Sequence, residues 1–463
     1  MSAITAAIRR HEDGVAGLLQ SYAAIPPDAP VRLAKRTSNL FRPRGGVGAP
    51  GLDVSGLDGV LDIDTVNRTA DVQGMCTYER LVDATLAYGL MPLVVPQLRT
   101  ITLGGAVSGL GIESTSFRSG LPHESVLELD VLTGGGDVVT ATPDGDHADL
   151  FAMFPNSYGS LGYATRLRIE LEPVQPYVAL RHLRVGIDEL PGAVAAIVAA
   201  REYHGDPVDF VDGVVFSPDE AYLTLGRWAD GVGHPSNYTG SRIFYRSIAE
   251  RVTDGLTVHD YLWRWDTDWF WCSQAFGAQH PLVRRLWPAR HRRSDVYHRL
   301  LRLENRWYVA ARIDRMRHRP ARERVVQDVE IPVERLAEFL RWFDASVGMR
   351  PVWLCPLRLR EADGPDSVRS WPLYPLAPGR TYVNVGFWGT VPIAAGAAYG
   401  DVNRAIEAAV TDLEGHKSLY SDIYYDEETF GRLYGGEHLS AVRRRYDPEQ
   451  RLTGLHAKVV GRR

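Results

Sequence analysis

The stretch "LRTITLGGAVSGLGIESTSFRSG", residues 98–120, constrains the fold of this chain more than any other segment. It contains five glycines among serines and threonines, and a single carboxylate, Glu113, lies in its middle. Because glycine costs backbone entropy on folding, this density predicts a backbone that passes close to something. The length favours an extended ligand along the chain, whose phosphates would accept from backbone amides. A glycine-rich surface loop is the alternative.

A second turn of small residues, "NSYGSLGYATRLRI" at 156–169, also leads into a strand. Two such turns in a strand-rich region favour one shared ligand over two unrelated loops. A third glycine pattern, "GVGAPG" at 46–51, matches GxGxxG but is discounted. The dinucleotide fingerprint requires a helix directly after the glycines, and Pro50 with strand-like residues beyond it argues against one.

The pattern of elements predicts an α+β chain of two domains, as expected for 463 residues. Short strands alternate after an N-terminal helix, and one clear helix, 77–90, begins at the cap Thr77 and ends at Gly89. Amphipathic helices at 188–205 and 332–348 mark a second domain. The predicted segments are a helix at 1–30, a first domain at 31–174, a second domain at 175–430 and a C-terminal segment at 431–463.

Charge and cysteine content exclude several classes of protein. A net charge of −5 argues against a nucleic-acid partner, because no basic field collects phosphates. The N-terminus does not resemble a signal peptide, and no apolar run approaches the length of about 18 residues that spans a membrane. We therefore expect a cytoplasmic protein and allow peripheral contact with the inner face of the plasma membrane. The three cysteines lie far apart, so no metal site is expected.

Aromatic and basic residues concentrate in the second domain. Residues 261–276 hold four of the 11 tryptophans, and arginines cluster at 283–293 and 315–324. One interpretation is a buried aromatic cluster beside a solvated basic face. The other is an apolar entrance ringed by cations, suited to a lipid with an anionic headgroup or to a membrane surface.

Five segments carry a resemblance to a known family. They are "PQLRTITLGGAVSGLGIESTSFRSGL", "DLFAMFPNSYGSLGY", "VVQDVEIP", "PVWLCPLRL" and "SLYSDIYYDEETFGRLYGG". In this order they resemble the Δ24-sterol reductase (diminuto/seladin) branch of the vanillyl-alcohol-oxidase and p-cresol-methylhydroxylase class of FAD enzymes. That branch has "PELDDLTVGG…GTGIESSSH…GL" at the first segment. The resemblance implies a two-domain fold with an FAD-binding domain, an antiparallel-sheet-plus-helices substrate (cap) domain, and a C-terminal segment returning to the FAD domain.

The resemblance also implies which residues bind FAD. Glycine backbone would approach the pyrophosphate and isoalloxazine, and hydroxyls would donate hydrogen bonds. The class has a glycine-rich turn further upstream, where this chain has "KRTSN". No histidine stands there for covalent attachment, so we expect noncovalent FAD, with Arg36 meeting the pyrophosphate by charge. The implied cofactor-binding residues are Arg36, Thr37, Ser38, Asn39, Gly104, Gly105, Gly109, Gly111, Ile112, Ser114, Ser116, Gly159, Leu161, Gly162 and Lys458.

Three residues are candidates for the chemistry: Glu113, Gln327 and Asp328. Glu113 stands where many oxidases of the class have histidine; a carboxylic acid suits giving a proton to an alkene, whereas histidine suits taking one from an alcohol. The alternative is that Glu113 only hydrogen-bonds backbone. Gln327 and Asp328 are adjacent on a strand that by resemblance faces the flavin, so only one can point there. The expected substrate contacts are Trp269, Trp271, Arg284 and Arg285.

The resemblance implies reduction of an isolated C=C bond in a lipid, with NADPH as electron donor. Lysine occurs only three times among 52 basic residues, which is typical of a high-GC bacterial genome, where sterols are rare. We therefore favour a 10-methylene fatty-acyl chain, reduced to the 10-methyl chain of tuberculostearic acid and supplied by a lipid methyltransferase. The alternatives are a Δ24-sterol-type reductase, a sugar or alcohol oxidase, and a flavin-bearing lipid-binding protein.

Overall fold

The computed structural model describes residues 3–34, 51–240, 242–307, 320–360 and 370–460. Its first part contains helices and strands that run to residue 173. The helices are α1 (Ala3–Ala23), α2 (Tyr78–Leu86), α3 (Leu103–Gly109), α4 (Ser116–Ser119) and α5 (Ala148–Met153). The strands are β1 (Val60–Asp64), β2 (Thr69–Gln73), β3 (Leu90–Pro92), β4 (Val126–Leu132), β5 (Val138–Ala141) and β6 (Tyr163–Pro173).

The remaining elements follow from residue 177. The strands are β7 (Tyr177–Val185), β8 (Glu202–Tyr203), β9 (Asp206–Pro207), β10 (Phe210–Ser217), β11 (Glu220–Ala229), β12 (Thr253–Thr257), β13 (Arg322–Pro332), β14 (Val352–Leu357), β15 (Tyr382–Pro392) and β16 (His416–Lys417). The helices are α6 (Leu190–Ala200), α7 (Phe244–Glu250), α8 (Val258–Leu262), α9 (Pro281–Leu286), α10 (Ser294–Trp307), α11 (Leu336–Ser346), α12 (Asp401–Asp412), α13 (Glu427–Leu433), α14 (Gly436–Tyr446) and α15 (Leu455–Val459). Short 3-10 helices lie at Pro122–Ser125, Cys272–Phe276, Ala289–His291 and Val333–Arg335.

The first sheet is antiparallel and is built around the long strand β6. Its order is β1-β2-β6-β4-β5, and β3 also pairs with β6. Helix α2 is the one that the sequence predicts: the Thr77 side chain accepts from the Arg80 amide at 3.3 Å, and Leu81 and Val82 are buried. The glycine-rich stretch forms α3 and the loop after it, at the side of this sheet.

The second sheet is also antiparallel, in the order β12-β7-β11-β10-β14-β15-β13-β16. One face, here called the helix face, packs against α6, α11 and α12 through residues such as Val329 and Val385. The opposite face, here called the inner face, carries Phe210 and Trp353 and joins the core that includes the first sheet. Because side chains alternate along a strand, each residue of β13 faces either the helices or this shared core.

The α+β architecture agrees with the fold class expected from the sequence. Residues 174–176 connect β6 of the first sheet to β7 of the second sheet, next to the predicted domain boundary. The C-terminal segment packs on the first part: Tyr446 donates to Asp149 at 2.7 Å, and Leu455 and Val459 lie in the shared core. It contains the short helix α15. Among the helices of the described ranges, none combines the length and apolar character that crossing a membrane requires.

Candidate active site between the sheets

The two adjacent glycines of α3 serve different purposes. A Cβ atom on Gly104 would lie 2.7 Å from the carbonyl oxygen of Gly74, so the close approach there is to another part of the backbone. Gly105 is exposed, and the nearest atom to a Cβ would be Oγ1 of Thr102 at 2.9 Å. Gly104 therefore permits packing, while Gly105 is the glycine whose backbone remains open to a ligand.

The two small-residue turns lie against each other. The Tyr158 amide donates to the Ser108 carbonyl at 2.8 Å, and its hydroxyl donates to the Gly109 carbonyl at 2.6 Å. Lys458 reaches this turn from α15 and donates to the carbonyls of Tyr158 and Gly159, at 3.0 and 2.6 Å. The structure thus brings Gly109, Gly159 and Lys458 together, as the cofactor-binding prediction requires.

The turn at 156–160 contains buried polar atoms that nothing in the described residues satisfies. Oδ1 of Asn156 and Oγ of both Ser157 and Ser160 are buried without a hydrogen-bond partner. Asn156 and Tyr158 also have positive φ angles of 62° and 49°, a strained conformation that clusters at functional sites. Buried polar groups are normally paired, so these atoms fit a polar ligand such as the pyrophosphate and ribose of FAD. Asn156, Ser157 and Ser160 were not among the predicted cofactor-binding residues.

Other predicted cofactor residues have packing roles. Leu161 is fully buried in the shared core, and a side chain at Gly162 would collide with the Leu132 carbonyl. A Cβ on Gly111 would lie 2.9 Å from Pro96. The Ile112 carbonyl accepts from Gln97 at 2.8 Å. Arg36, Thr37, Ser38 and Asn39 lie outside the described residues.

Glu113 belongs to a buried network of charged and hydroxyl groups. Its carboxylate accepts from Ser114 Oγ at 2.7 Å and from Arg264 at 2.9 Å, and Ser114 Oγ is 2.8 Å from the Tyr261 hydroxyl. Ser116 accepts from the Glu113 amide at 3.0 Å, which fixes the loop. The side chain of Glu113 therefore forms an ion pair with Arg264 in addition to its backbone hydrogen bond at Ser114.

One guanidinium serves two carboxylates in this network. Arg264 donates to Asp212 at 2.8 Å as well as to Glu113, and Trp265 donates to Asp212 at 2.9 Å. Burial raises the pKa of Glu113; Arg264 opposes that rise and Asp212 adds to it. Arg264 therefore provides one positive charge for two buried carboxyl groups. Asp212 and Arg264 were missed because they are far from Glu113 in sequence.

Strand β13 separates the other two candidates. Gln327 points to the helix face, where it donates to Asn403 of α12 at 2.6 Å. It therefore cannot face the site, and its prediction as a catalytic residue is wrong. Asp328 lies on the inner face opposite Gly386 of β15, where any side chain would collide with its carboxyl group and with Trp388. Because side chains alternate along a strand, Asp328 is the one of the two candidates that can face the site.

The carboxyl group of Asp328 has no cation among the groups that set its pKa. Burial raises this pKa to about 7, and the side chains of Asn384 and Tyr420 lower it less. Its strand neighbour Glu330 accepts from Ser418 at 2.7 Å, and burial raises the pKa of Glu330 to about 8. Asp328 is thus an acid that holds its proton near neutral pH.

Three parts of the structure meet around Tyr420: the glycine-rich stretch, the 156–160 turn and the inner face. Trp388 donates to its hydroxyl at 2.7 Å, and burial raises the pKa of Tyr420 well above its ordinary value, with further contributions from Asp328 and Tyr158. Gly109, Tyr158, Asp328, Trp388 and Tyr420 are all partly exposed within largely buried surroundings. From this partial exposure we infer that the five residues border a cleft, and this cleft is the candidate active site.

The aromatic segment forms a wall of this cleft and much of the core behind it. Trp271 packs on Trp388, with ring centroids 5.1 Å apart, and Phe270 lies between Trp265 and Trp388 at 4.8 and 4.5 Å. Trp269 instead packs against His298 at 4.4 Å. Of the two predicted tryptophans, Trp271 adjoins the cleft through Trp388, and Trp269 packs against His298.

The two predicted arginines have opposite environments. Arg284 is buried, forms a two-pronged ion pair with Asp268 at 2.7 and 3.0 Å, and donates to three backbone carbonyls. It cannot also present its charge to a lipid, so that prediction is wrong. Arg285 is exposed, and no ion pair of it is found among the described residues. The basic segment is therefore only in part a solvated face.

Comparisons with known proteins identify relatives of this chain. The model of a family described as an FAD binding domain matches residues 20–142, which include the glycine-rich stretch. The Δ24-sterol reductase of Pisum sativum is 25% identical over 341 residues, covering 66% of this chain and 56% of that protein. The human Δ24-sterol reductase is 25% identical over 418 residues, covering 86% and 76%. Cytokinin dehydrogenase 9 of Oryza sativa is 33% identical over 184 residues, covering 40% and 30%. These matches confirm the resemblance to the Δ24-sterol-reductase-like branch of this flavoprotein class.

Proposed function

We propose that this protein is an FAD-dependent oxidoreductase that reduces an isolated C=C bond in a lipid with electrons from NADPH. The FAD binding domain and the Δ24-sterol reductase relatives support this reaction class. The observation that carries the proposal is Asp328, an acid whose pKa is about 7, placed beside Tyr420 and Trp388 where the glycine-rich stretch meets the inner face. A reduction that must begin with a proton requires such a group.

Several described residues would hold FAD. The open backbone at Gly105, the unsatisfied polar atoms of Asn156, Ser157 and Ser160, and the turn held by Lys458 suit a dinucleotide. When bound, FAD supplies the hydride that completes the reduction. We expect it to be noncovalent.

The alkene chemistry explains why an acid is needed. An isolated alkene has no carbonyl group to stabilise a carbanion, so protonation of the less substituted carbon comes first and leaves positive charge on the more substituted one. Asp328 gives this proton, and hydride addition to the charged carbon then balances the reaction. Trp388 and Trp271 exclude water from the cation and stabilise it through their ring faces. Asp328 afterwards regains its proton from solvent.

Asp328 suits the donor role better than Glu113 does. The carboxylate of Glu113 is engaged by Arg264 and Ser114, and Arg264 also binds Asp212 in the same buried network. We assign Glu113 the role of positioning the loop and Tyr261 at the border of the cleft.

The favoured substrate is a 10-methylene fatty-acyl chain on a phospholipid, which a lipid methyltransferase would supply. This alkene and the sterol Δ24 bond are alike: both are electron-rich and have one fully alkylated carbon. The scarcity of lysine supports a bacterial source and hence the fatty-acyl chain. A Δ24-sterol is the second candidate, because the relatives carry that name.

The test uses purified protein loaded with FAD and reduced by NADPH without oxygen. We expect a phospholipid with a 10-methylene-octadecanoyl chain to reoxidise the flavin and to yield the 10-methyl lipid in mass spectrometry. Faster reoxidation by a Δ24-sterol would select the second candidate. Peroxide formation with sugar alcohols in air, or no redox response to any alkene, would contradict the proposal. Acid precipitation of the same preparation should leave all flavin in the supernatant.

A further inference from the structure

The outer surface of α9 exposes large apolar side chains to solvent. Leu282, Val283 and Leu286 are 67%, 37% and 83% exposed, although α9 has only six residues. Leu282 and Leu286 are four residues apart and therefore share one side of the helix. Arg285 and Arg290 are exposed beside them. These five residues are here called the α9 surface.

The α9 surface is held firmly from behind. Arg284 forms its ion pair with Asp268 at 2.7 Å, and Arg292 donates to the carbonyls of Gly240 and Trp287 at 2.6 and 2.8 Å. Two buried arginines thus fasten α9 and the turn after it to the body of the protein. Because these arginine side chains point inward and fix the position of α9, Leu282 and Leu286 remain exposed to solvent.

The charge beside the apolar residues identifies the occupant. Neither Arg285 nor Arg290 forms an ion pair within the part of the chain that the structure describes, and the chain as a whole carries a net charge of −5. An unpaired positive patch next to exposed leucines complements a layer that is anionic at its surface and apolar below it. We propose that the α9 surface docks this protein onto an anionic phospholipid bilayer, with the leucines at the acyl boundary and the arginines at the phosphates.

The α9 surface is also continuous in the chain with the candidate active site. Cys272 contributes to the pKa of Tyr420 and follows Trp271, which packs on Trp388. From Cys272 the chain reaches Leu282 within one short segment of ten residues. A bilayer at the α9 surface would therefore lie near the aromatic wall. The use of this proximity for substrate supply rests on the proposed function, whereas docking itself does not.

The experiment is flotation of the FAD-loaded protein with vesicles of phosphatidylglycerol and phosphatidylcholine, compared with vesicles of phosphatidylcholine alone. We expect binding to the anionic vesicles that weakens with salt. Leu282→Ser with Leu286→Ser should weaken it at least about tenfold, because the apolar contact is lost. Arg285→Ser with Arg290→Ser should weaken it about 25-fold, at roughly fivefold for each arginine.

Two control variants change the same chemistry elsewhere. Val66→Ser removes an apolar side chain that is 87% exposed, and Arg432→Ser with Arg444→Ser removes two exposed charges. Both should bind vesicles as the unaltered protein does. Equal weakening in the controls, unchanged binding in the α9 variants, or self-association that the leucine substitutions abolish would overturn the proposal. Flavin reduction by NADPH, measured without lipid, verifies that every variant is folded, so docking can fail while the proposed reaction stands.

Discussion

At the scale of single residues, two buried acids differ in their surroundings. Glu113 has Arg264 within hydrogen-bond distance, whereas Asn384 and Tyr420, both uncharged, are the described side chains that lower the pKa of Asp328 against its burial. Arg264 opposes the rise that burial causes in the pKa of Glu113, and among the described residues no arginine does so for Asp328. This contrast assigns proton donation to Asp328 and gives Glu113 a positioning role.

Replacing Asp328 tests this assignment. Asp328→Asn keeps the shape of the side chain but removes the transferable proton, so flavin binding and reduction by NADPH should stay near normal. Reoxidation by the alkene should fall by roughly 10²–10⁴-fold, the usual contribution of a general acid. In the unaltered protein this step should slow as pH rises through about 7, the pKa of Asp328, and the variant should lose that dependence.

Glu113→Gln is the comparison variant. It leaves the Arg264–Asp212 ion pair in place, so we expect a smaller loss of alkene turnover and an unchanged pH profile. If Glu113→Gln abolished the pH dependence while Asp328→Asn preserved it, the two roles would be reversed.

At the scale of elements, helix α3 shows how neighbouring glycines can be told apart. Gly104 packs against the backbone of Gly74, and Gly105 faces open space beyond Thr102. The sequence presents them as an identical pair. Only the packing of α3 on the first sheet distinguishes a glycine that the fold requires from one that leaves room for a ligand.

Two substitutions in α3 should therefore fail in different ways. Gly104→Ala should lower the free energy of unfolding by about 1–3 kcal/mol, the usual cost of overpacking. Gly105→Val should give soluble, folded protein without flavin, because the side chain occupies the space above the backbone. Urea unfolding and the flavin absorbance of the purified variants measure the two effects. A yellow, fully loaded Gly105→Val protein would mean that the cofactor lies elsewhere.

The elements that the sequence predicts well are those with local signals. Thr77 caps helix α2, which ends at Leu86, three residues before the predicted end at Gly89. The alternation of β13 predicts that Gln327 and Asp328 face opposite ways. Which of them faces the cleft depends on where α12 packs against the sheet, and this packing is a feature of the tertiary structure. Helix α12 itself was not predicted, although Val402, Ile406 and Val410 have helical spacing.

The parts of the site that could not be predicted are those assembled over long separations. Arg264 meets Glu113 across 151 residues, and Lys458 meets Gly159 across 299. No local periodicity records such contacts. For the same reason the sequence treats Arg284 and Arg285 alike, although one is a buried anchor and the other is exposed.

At the scale of the whole molecule, buried titratable groups make stability depend on pH in two directions. Burial raises the pKa of Glu124 to about 7 and that of Glu330 to about 8, so the folded state keeps protons that the unfolded state loses. Burial lowers the pKa of His182 to about 4 and that of His416 to about 3, so the folded state rejects protons that the unfolded state binds below about 6.5. Between about pH 4.5 and 6.5 the two effects oppose each other, whereas above about pH 6.5 the histidines are mostly neutral in both states, so stability should fall as pH rises towards 8.

The fall in stability above pH 6.5 can be measured directly. Between pH 6.5 and 8 the two glutamates together should reduce the free energy of unfolding by about 2 kcal/mol. Urea unfolding of the FAD-loaded protein across this range gives the slope, and Glu330→Gln should remove the larger part of it. A stability that rises over the same range would show that these carboxyl groups are already ionised in the folded state.

The contact between Lys458 and the 156–160 turn sets an order of events during synthesis. A ribosome completes the glycine-rich stretch and the turn long before it reaches the lysine that fastens them. A nascent chain in which both sheets are already translated would still lack the contact between Lys458 and the 156–160 turn, where we propose that flavin binds. Binding of the cofactor should accordingly be a late step of maturation, after residue 458 has left the exit tunnel. The supply of flavin should then determine what fraction of the finished protein contains it.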